Sequence, residues 1–332
     1  MDVELTFTTA DLAHTRFAVS PMWEVVTSYR LLRTAAGNVP HRHWLAEVRP
    51  RVLALGLGSG LLSELIPRDG YLADFLNPTP ARPFPDLPEE LAAIRATAPG
   101  QVRAELDLLA ARLPSGGEEG PGARALRADP AAGLERVAAE VTAYWEAAVA
   151  PYWARIRQLL EADVFGRARE VAEYGTGHVM AGLHETIQWE EGALRLAHRV
   201  CALESGASGL GVLLIPSAFV WPRVLTRAAT GESPQIAYPA RGVGNLWAER
   251  GSSASEAVAA VVGRSRARLL AELGTPASTT RLARLAALSV PGASQHLTAL
   301  RDAGLVSAHR SGREVLYART AVAEALLSSA AA

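Results

Sequence analysis

Apolar residues in the C-terminal quarter of the chain recur three and four positions apart, which places one face of a helix toward a core. This spacing predicts four helices, at residues 255–262, 264–273, 279–287 and 289–302. Gly263 separates the first two, and Gly304 suits the position just beyond the end of the last. Ser278 and Ser289 stand where the N-caps of the third and fourth helices are expected.

The fourth predicted helix has two distinct faces. Ala293, Leu297 and Leu300 line one side and should pack inward. The other positions carry small or hydrogen-bonding side chains, which would let the helix approach base edges in a major groove. These positions are Pro291, Gly292, Ser294, Gln295 and Thr298.

Two strands, at 305–310 and 313–319, follow this helix and are joined at Ser311-Gly312. The hairpin places His309, Arg310 and Arg313 near its tip, where cations can contact phosphate. Helices followed by a basic hairpin predict a winged helix-turn-helix, with the hairpin as the wing.

The rest of the chain is predicted to be an α+β domain, mostly helical with a small sheet. A strand is expected at 3–7, and short apolar runs at 209–216 and 235–238 indicate buried strands. Helices are expected at 21–32, 87–97, 102–113, 131–149 and 151–173, with an extended loop at 77–88 and a flexible insertion at 114–122. The predicted domains are 1–250, for regulation or dimerisation, and 255–332, for DNA binding.

The charge is divided unevenly between these domains. All 33 basic residues are Arg. Residues 255–332 hold nine Arg against five acidic residues, a net charge of +4, and the preceding residues carry −5. A basic end on an acidic body suggests that only the end meets a polyanion.

Several other classes of protein are disfavoured by composition. The single cysteine, Cys201, rules out a site made of several thiolates within one chain. No apolar run reaches membrane-spanning length, and the first residues do not resemble a signal peptide, so a cytoplasmic location without membrane contact is expected. His41 and His43 flank an Arg and are expected in a solvated loop, and no metal site or cofactor is predicted.

Residues 264–319 resemble the ArsR-type winged helix-turn-helix regulators. The resemblance is carried by the strings Ser278-Thr-Thr-Arg-Leu-Ala-Arg284, Leu288-Ser289, Ser294-Gln-His-Leu297, Leu300-Arg-Asp-Ala-Gly-Leu-Val306, Ser311-Gly-Arg313 and Val315-Leu-Tyr317. It implies a symmetric dimer on a palindrome-like operator, with 289–298 in the major groove. The metal-sensing members carry paired cysteines in this domain, and this chain has none.

Two local departures from the ArsR pattern occur before the recognition helix. Ala287 stands where the family often has Gly in the turn. Ala286 stands at an expected bulky apolar position, beside Leu285, so a slightly rotated helix is expected.

The first 254 residues resemble an uncharacterised domain that precedes ArsR-type domains in a group of large regulators. The similar strings are Thr15-Arg-Phe-Ala-Val-Ser-Pro21 and Val212-Leu-Leu-Ile-Pro-Ser-Ala-Phe-Val-Trp-Pro222. This resemblance indicates architecture and leaves the ligand open.

One string favours an enzyme instead. Arg51-Val-Leu-Ala-Leu-Gly-Leu-Gly-Ser-Gly-Leu-Leu62 is similar to the glycine motif of S-adenosylmethionine-dependent methyltransferases, in which glycines let the backbone approach the cofactor after a strand. However, Ala54 replaces the usual acid, and the strand-helix alternation of a doubly wound sheet is missing. A buried helix or turn is the simpler interpretation.

The predicted function is sequence-specific DNA binding by a homodimeric transcription regulator, a repressor. Ser278, Thr279, Arg264, Arg310 and Arg313 would contact phosphate, with Ser294, Gln295 and Thr298 reading bases. Three hypotheses stay open for the N-terminal domain: a small-molecule effector site, a dimerisation scaffold without ligand, or an S-adenosylmethionine-binding enzyme. Trp23, Trp189, Trp221 and Arg223 are the candidate effector-binding residues, and core packing is the alternative role for each Trp.

Overall fold

The computed structural model describes most of the chain and places it in two compact units, Met1–Val243 and Gly244–Ala332. The described residues are 3–6, 9–34, 39–112, 118–190, 193–196, 209–229, 231–247, 253–311 and 314–329. Each unit is considered by itself below.

The N-terminal unit begins with short strands and then becomes almost wholly helical. Its first elements are β1 (Val3–Thr6), α1 (Thr9–Ala13), β2 (Arg16–Phe17), α2 (Pro21–Arg33), α3 (Arg42–Ala54), α4 (Leu61–Leu65), α5 (Leu87–Arg95), α6 (Pro99–Ala110), α7 (Pro121–Ala128), α8 (Pro130–Tyr144), α9 (Trp153–Tyr174) and α10 (Thr176–Ala181). A π-helical turn, Trp145–Val149, and a 3-10 turn, Ala150–Tyr152, join α8 to α9. Further 3-10 turns lie at Val39–His41, Asp74–Leu76 and Val243–Asn245.

Two small sheets complete the described part of this unit. Their remaining strands are β3 (Ile187–Glu190), β4 (Ala193–Leu196), β5 (Leu213–Ser217), β6 (Leu225–Arg227) and β7 (Gln235–Pro239). One sheet has the order β1-β4-β3 and is antiparallel. The other has the order β2-β5-β7-β6, with β2, β5 and β7 parallel and β6 antiparallel at the edge.

The central strand β5 is buried on both faces, which explains its unbroken apolar sequence. Leu213 and Ile215 pack with Trp23 of α2 on one side. Leu214 packs with Val179 of α10 on the other. The N-terminal domain is therefore α+β, mostly helical with small sheets, as the sequence predicts.

One predicted loop is partly helical. Residues 114–117 of the expected insertion lie outside the described residues, but its end forms the start of α7, with Gly122 buried. The Glu64 carboxylate accepts hydrogen bonds from the backbone N–H groups of Gly122 and Ala123, at 3.1 and 2.6 Å. This distant carboxylate caps α7, so local composition alone did not indicate the helix.

The C-terminal unit is a winged helix-turn-helix with one further helix. Its elements are α11 (Ser253–Val262), α12 (Arg264–Glu272), β8 (Ala277–Ser278), α13 (Thr279–Leu285), α14 (Val290–Asp302), β9 (Val306–Ser311), β10 (Glu314–Arg319) and α15 (Ala321–Ser329). β8, β10 and β9 form an antiparallel sheet in that order. Leu270, Leu282, Leu297, Leu300 and Tyr317 share its core. The helix α15 was not expected from the sequence.

Candidate nucleic-acid interface

The turn between α13 and α14 is tight because Ala287 adopts a left-handed conformation, with φ +53°. The backbone N–H of Leu288 reaches back to the carbonyl of Ala283 at 2.8 Å. An L-residue with a Cβ is strained in this region, which accounts for the glycine that the ArsR resemblance leads one to expect. Ala286 is fully buried and Leu285 is 36% exposed, so Leu285 does not rotate inward to replace it.

Ser289 starts α14 as the sequence predicts. Its side-chain oxygen accepts a hydrogen bond from the backbone N–H of Gly292 at 3.2 Å, with Pro291 in the first turn. The helix ends at Asp302, and Gly304, with φ +71°, takes the left-handed position beyond it. These caps fix the direction in which α14 presents its faces.

The two faces of α14 are separated as the sequence predicts. Ala293, Leu297 and Leu300 are buried in the core of the unit. Pro291, Ser294 and Gln295 are exposed, while Gly292 and Thr298 are half-buried. Polar side chains therefore lie on the exposed face of a helix whose opposite face is packed in the core. This geometry suits close approach to a surface of hydrogen-bonding groups.

Ser278 departs from its expected role at the start of α13. It occupies the N-cap position, but its side chain makes no capping hydrogen bond. Its backbone instead pairs with Leu316 as part of β8, in an extended conformation. Ser278 and Thr279 are both half-buried.

The two elements α13 and β9, which pack against α14, carry exposed cations. Arg281 and Arg284 are exposed on α13, and Arg310 is exposed on β9. Within the described part of this unit, ion pairs hold Arg301 to Asp302 and Arg319 to Glu324, and none involves Arg281, Arg284 or Arg310. Arg281 and Arg284 were not singled out from the sequence, although their spacing of three on a predicted helix was a usable signal.

The wing has the expected form, with β9 and β10 in register from Ser311 opposite Glu314 to Val306 opposite Arg319. His309 and Arg310 are exposed on β9. Gly312 and Arg313, at the predicted tip, lie outside the described residues.

The candidate effector residues of the N-terminal unit separate into two environments. Trp23 is 1% exposed in the core, where its indole N–H donates to Oε1 of Gln235 at 2.8 Å. Trp221 and Arg223 instead line a cleft of about 320 Å³ between α2 and the segment after β5. The side chain of Trp189 lies outside the described residues.

The sequence suggested a solvated loop for His41, and this prediction is wrong. His41 is fully buried, with its ring 4.9 Å from that of Phe219, whereas His43 is exposed. Burial lowers the pKa of His41 to about 4, because the charged form is poorly solvated there. Among the described residues, no three His, Cys, Asp or Glu side chains gather as a metal site would require.

The glycine string that favoured an enzyme has a structural explanation. It follows helix α3 rather than a strand, and it leads into α4. The Glu140 carboxylate accepts from the N–H groups of Leu61 and Leu62, at 3.0 and 2.9 Å, and so already occupies the anion position at this helix start. A Cβ on Gly60 would lie 2.7 Å from Glu140 Oε2, which explains the glycine there. A methyltransferase site would need a strand before the glycines and an unoccupied helix start after them, and residues 51–65 provide neither.

Two family models match separate parts of the chain. Residues 93–244 match a family of unknown function, DUF5937. Searches of curated proteins and of solved structures gave no match. None of the helices in the described ranges combines the length and apolar character needed to cross a bilayer. Residues 264–307 match a helix-turn-helix domain, and this match identifies the C-terminal unit as the kind of module with which transcription regulators bind DNA.

Proposed function

We propose that the protein is a sequence-specific transcription regulator that places α14 in the major groove of its operator. The observation that carries the proposal is the exposed polar face of α14, with Ser294 and Gln295, backed by the buried Ala293, Leu297 and Leu300. Ser294, Gln295 and Thr298 would contact base edges, because an amide or hydroxyl can match the donors and acceptors displayed there.

Phosphate contacts would come from the cations and N–H groups around this face. Arg281, Arg284 and Arg310 are exposed and free of ion pairs within the described residues, so binding a phosphate would break no existing pair. Arg264, Arg313 and the Ser278-Thr279 start of α13 complete the proposed set. Such contacts fix the register of the protein on the duplex and carry no sequence information.

A homodimer fits this arrangement, as the ArsR resemblance implies. Helices α11 and α15 pack together, and each carries an exposed Val: Val261 is 77% exposed and Val322 is 63% exposed. We propose these two helices as the contact with a second copy. Two copies would present two α14 helices to half-sites about 34 Å apart, one DNA turn.

We infer repression as the mode of regulation, since a dimer bound over a promoter would exclude other proteins from it. A small molecule bound by the N-terminal unit would regulate this binding only if it preferred one dimer geometry over another.

The proposal can be tested in two steps with the full-length protein. Selection from random duplexes should first yield a palindrome-like operator. Gln295→Ala should then lower affinity for that operator by about tenfold and leave affinity for random DNA unchanged, because base contacts contribute about 1–3 kcal/mol of discrimination each. Gln158→Ala, the same change on α9, is the control and should affect neither. Equal losses on operator and random DNA would show that Gln295 does not read a base.

A further inference from the structure

The cleft in the N-terminal unit lies where open sheets with parallel strands commonly bind ligands, beyond the carboxyl end of a central strand. Its first wall is one face of α2, where Thr27, Arg30, Leu31 and Thr34 follow helical spacing. Its second wall begins two residues after β5 ends at Ser217 and includes Phe219 and Trp221.

The walls are held in place from behind. The backbone N–H of Ala218 donates to both carboxyl oxygens of Glu24, at 3.2 and 3.1 Å. The hydroxyls of Thr27 and Ser217 are 3.1 Å apart. The ring of Phe219 packs against that of Trp44, with centroids 4.7 Å apart. Because these supports are buried, the cleft exists before any ligand arrives.

The charge of the lining has one sign. Three arginines, Arg30, Arg68 and Arg223, line the cleft, and none of its lining residues in the described ranges is acidic. Arg223 pairs with Asp69, but both side chains are more than half exposed, so this pair contributes little and a ligand can compete with it.

Arg30 is the most unusual of the three. It is 8% exposed, and its guanidinium donates to two carbonyls, those of Pro67 and Gly70, at 2.9 and 3.2 Å. None of the ion pairs among the described residues includes it. Burial, followed by the nearby charge of Arg223, lowers its pKa to about 10, so it stays cationic at neutral pH. The charge of Asp69 acts in the opposite direction, but this carboxylate forms its ion pair with Arg223. An anion beside the buried Arg30 guanidinium would therefore be favourable.

Apart from Thr27 and Thr34, apolar side chains supply the remainder of the cleft. Leu31, Val220, Pro222 and Leu225 line it together with the two aromatic rings. Trp221 is 42% exposed at the mouth, where an aromatic ligand could stack on it. The lining therefore suits a molecule with a flat apolar body and a single anionic end.

We propose that this cleft binds an aromatic carboxylate, with its ring system between Leu31, Phe219 and Trp221 and its carboxylate toward the three arginines. A planar guanidinium fork matches carboxylate geometry, which favours this class over a neutral aromatic compound. The role of such an anion as the effector of DNA binding rests on the proposed function, whereas its binding to the cleft does not.

The test is calorimetric titration of the full-length protein with naphthoate as the probe. Naphthamide, which has the same shape without the charge, and inorganic phosphate, which has charge without the apolar body, are titrated in parallel. Naphthoate should bind saturably, and naphthamide and phosphate should each bind at least about tenfold more weakly. Naphthamide loses the charge-assisted hydrogen bonds to the arginines, and phosphate loses the apolar contacts.

Variants locate the site. Arg223→Ala and Arg68→Ala change exposed side chains and should each weaken naphthoate binding about tenfold without unfolding the protein. Trp221→Ala should weaken naphthoate and naphthamide alike. Arg136→Ala, an exposed arginine on α8 that does not line the cleft, should leave the affinity unchanged.

Three results would overturn the inference: no saturable naphthoate binding, equal affinity for naphthoate and naphthamide, or equal behaviour of Arg223→Ala and Arg136→Ala. If the protein selected no operator, the proposed function and the effector role would be wrong, but the proposal that the cleft binds an aromatic carboxylate would be unaffected. The two proposals can therefore be refuted separately.

Discussion

We predict that the free energy of unfolding depends on pH through Glu24, and the surroundings of this side chain set the size of the effect. The side chain of Glu24 is fully buried under the segment that forms one wall of the cleft, where it accepts hydrogen bonds from Ala218. Burial raises its pKa from 4.5 to about 8, and the hydrogen bonds from Ser217 and Ala218 only partly oppose this effect. The native protein therefore holds this proton over a range in which the unfolded chain has lost it.

The sign of the pH effect follows from that difference in bound protons. Between pH 4.5 and about 8 the native state binds more protons than the unfolded state, so stability falls as pH rises across this window. The two pKa values differ by an amount worth about 5 kcal/mol, at about 1.4 kcal/mol per unit. Glu24→Gln keeps the acceptor and removes the ionisation, so the variant should match the wild type near pH 4.5 and exceed its stability by about 3–5 kcal/mol at pH 9.

Urea unfolding followed by tryptophan fluorescence measures this difference, because six of the seven Trp residues lie in the N-terminal unit. Burial also raises the pKa of Glu90, to about 7, but Glu90 is present in both proteins and cancels in the comparison. Glu135→Gln, at an exposed carboxylate, is the control and should follow the wild type at every pH. A stability difference between Glu24→Gln and wild type that stays constant from pH 4.5 to 9 would refute the reasoning.

Two further predictions concern the C-terminal unit. Ala287→Gly should raise its free energy of unfolding by about 0.5–1 kcal/mol, because relief of the left-handed strain exceeds the added flexibility of the unfolded chain; thermal unfolding of the full-length protein measures this, and a lower stability would contradict it. Arg310→Ala should weaken binding to operator and random DNA alike and reduce the slope of log affinity against log salt by about 0.9, the value for one phosphate contact. A slope equal to that of wild type would place Arg310 away from the backbone.

Most elements of the C-terminal unit, though not α15, were predictable because their signals are local. Ser289 and Gly304 mark the ends of α14 through short-range backbone chemistry, and the spacing of Leu297 and Leu300 defines its buried face. The ArsR resemblance marked Ala287 as a position where Gly is common, but the left-handed conformation there became evident only from the structure.

Long-range contacts explain what the sequence did not indicate. The start of α7 depends on Glu64, and the glycines before α4 accommodate Glu140, carboxylates 58 and 79 residues away in the chain. Composition likewise cannot separate Trp23, which bonds to Gln235 in the core, from Trp221 at the mouth of the cleft. The environment of His41 depends on Phe219, which the chain brings close only on folding.

The claim that α14 enters the major groove can be tested by directed DNA cleavage, because Cys201 is the only cysteine in the chain. Ser294→Cys in a Cys201→Ser background would carry an iron chelate that cleaves nearby DNA, and Gln158→Cys in the same background would serve as the control. Cleavage from position 294 is expected within both half-sites of the selected operator, with the strand offset typical of the major groove. Cleavage outside the half-sites, or no more than position 158 produces, would contradict the claim.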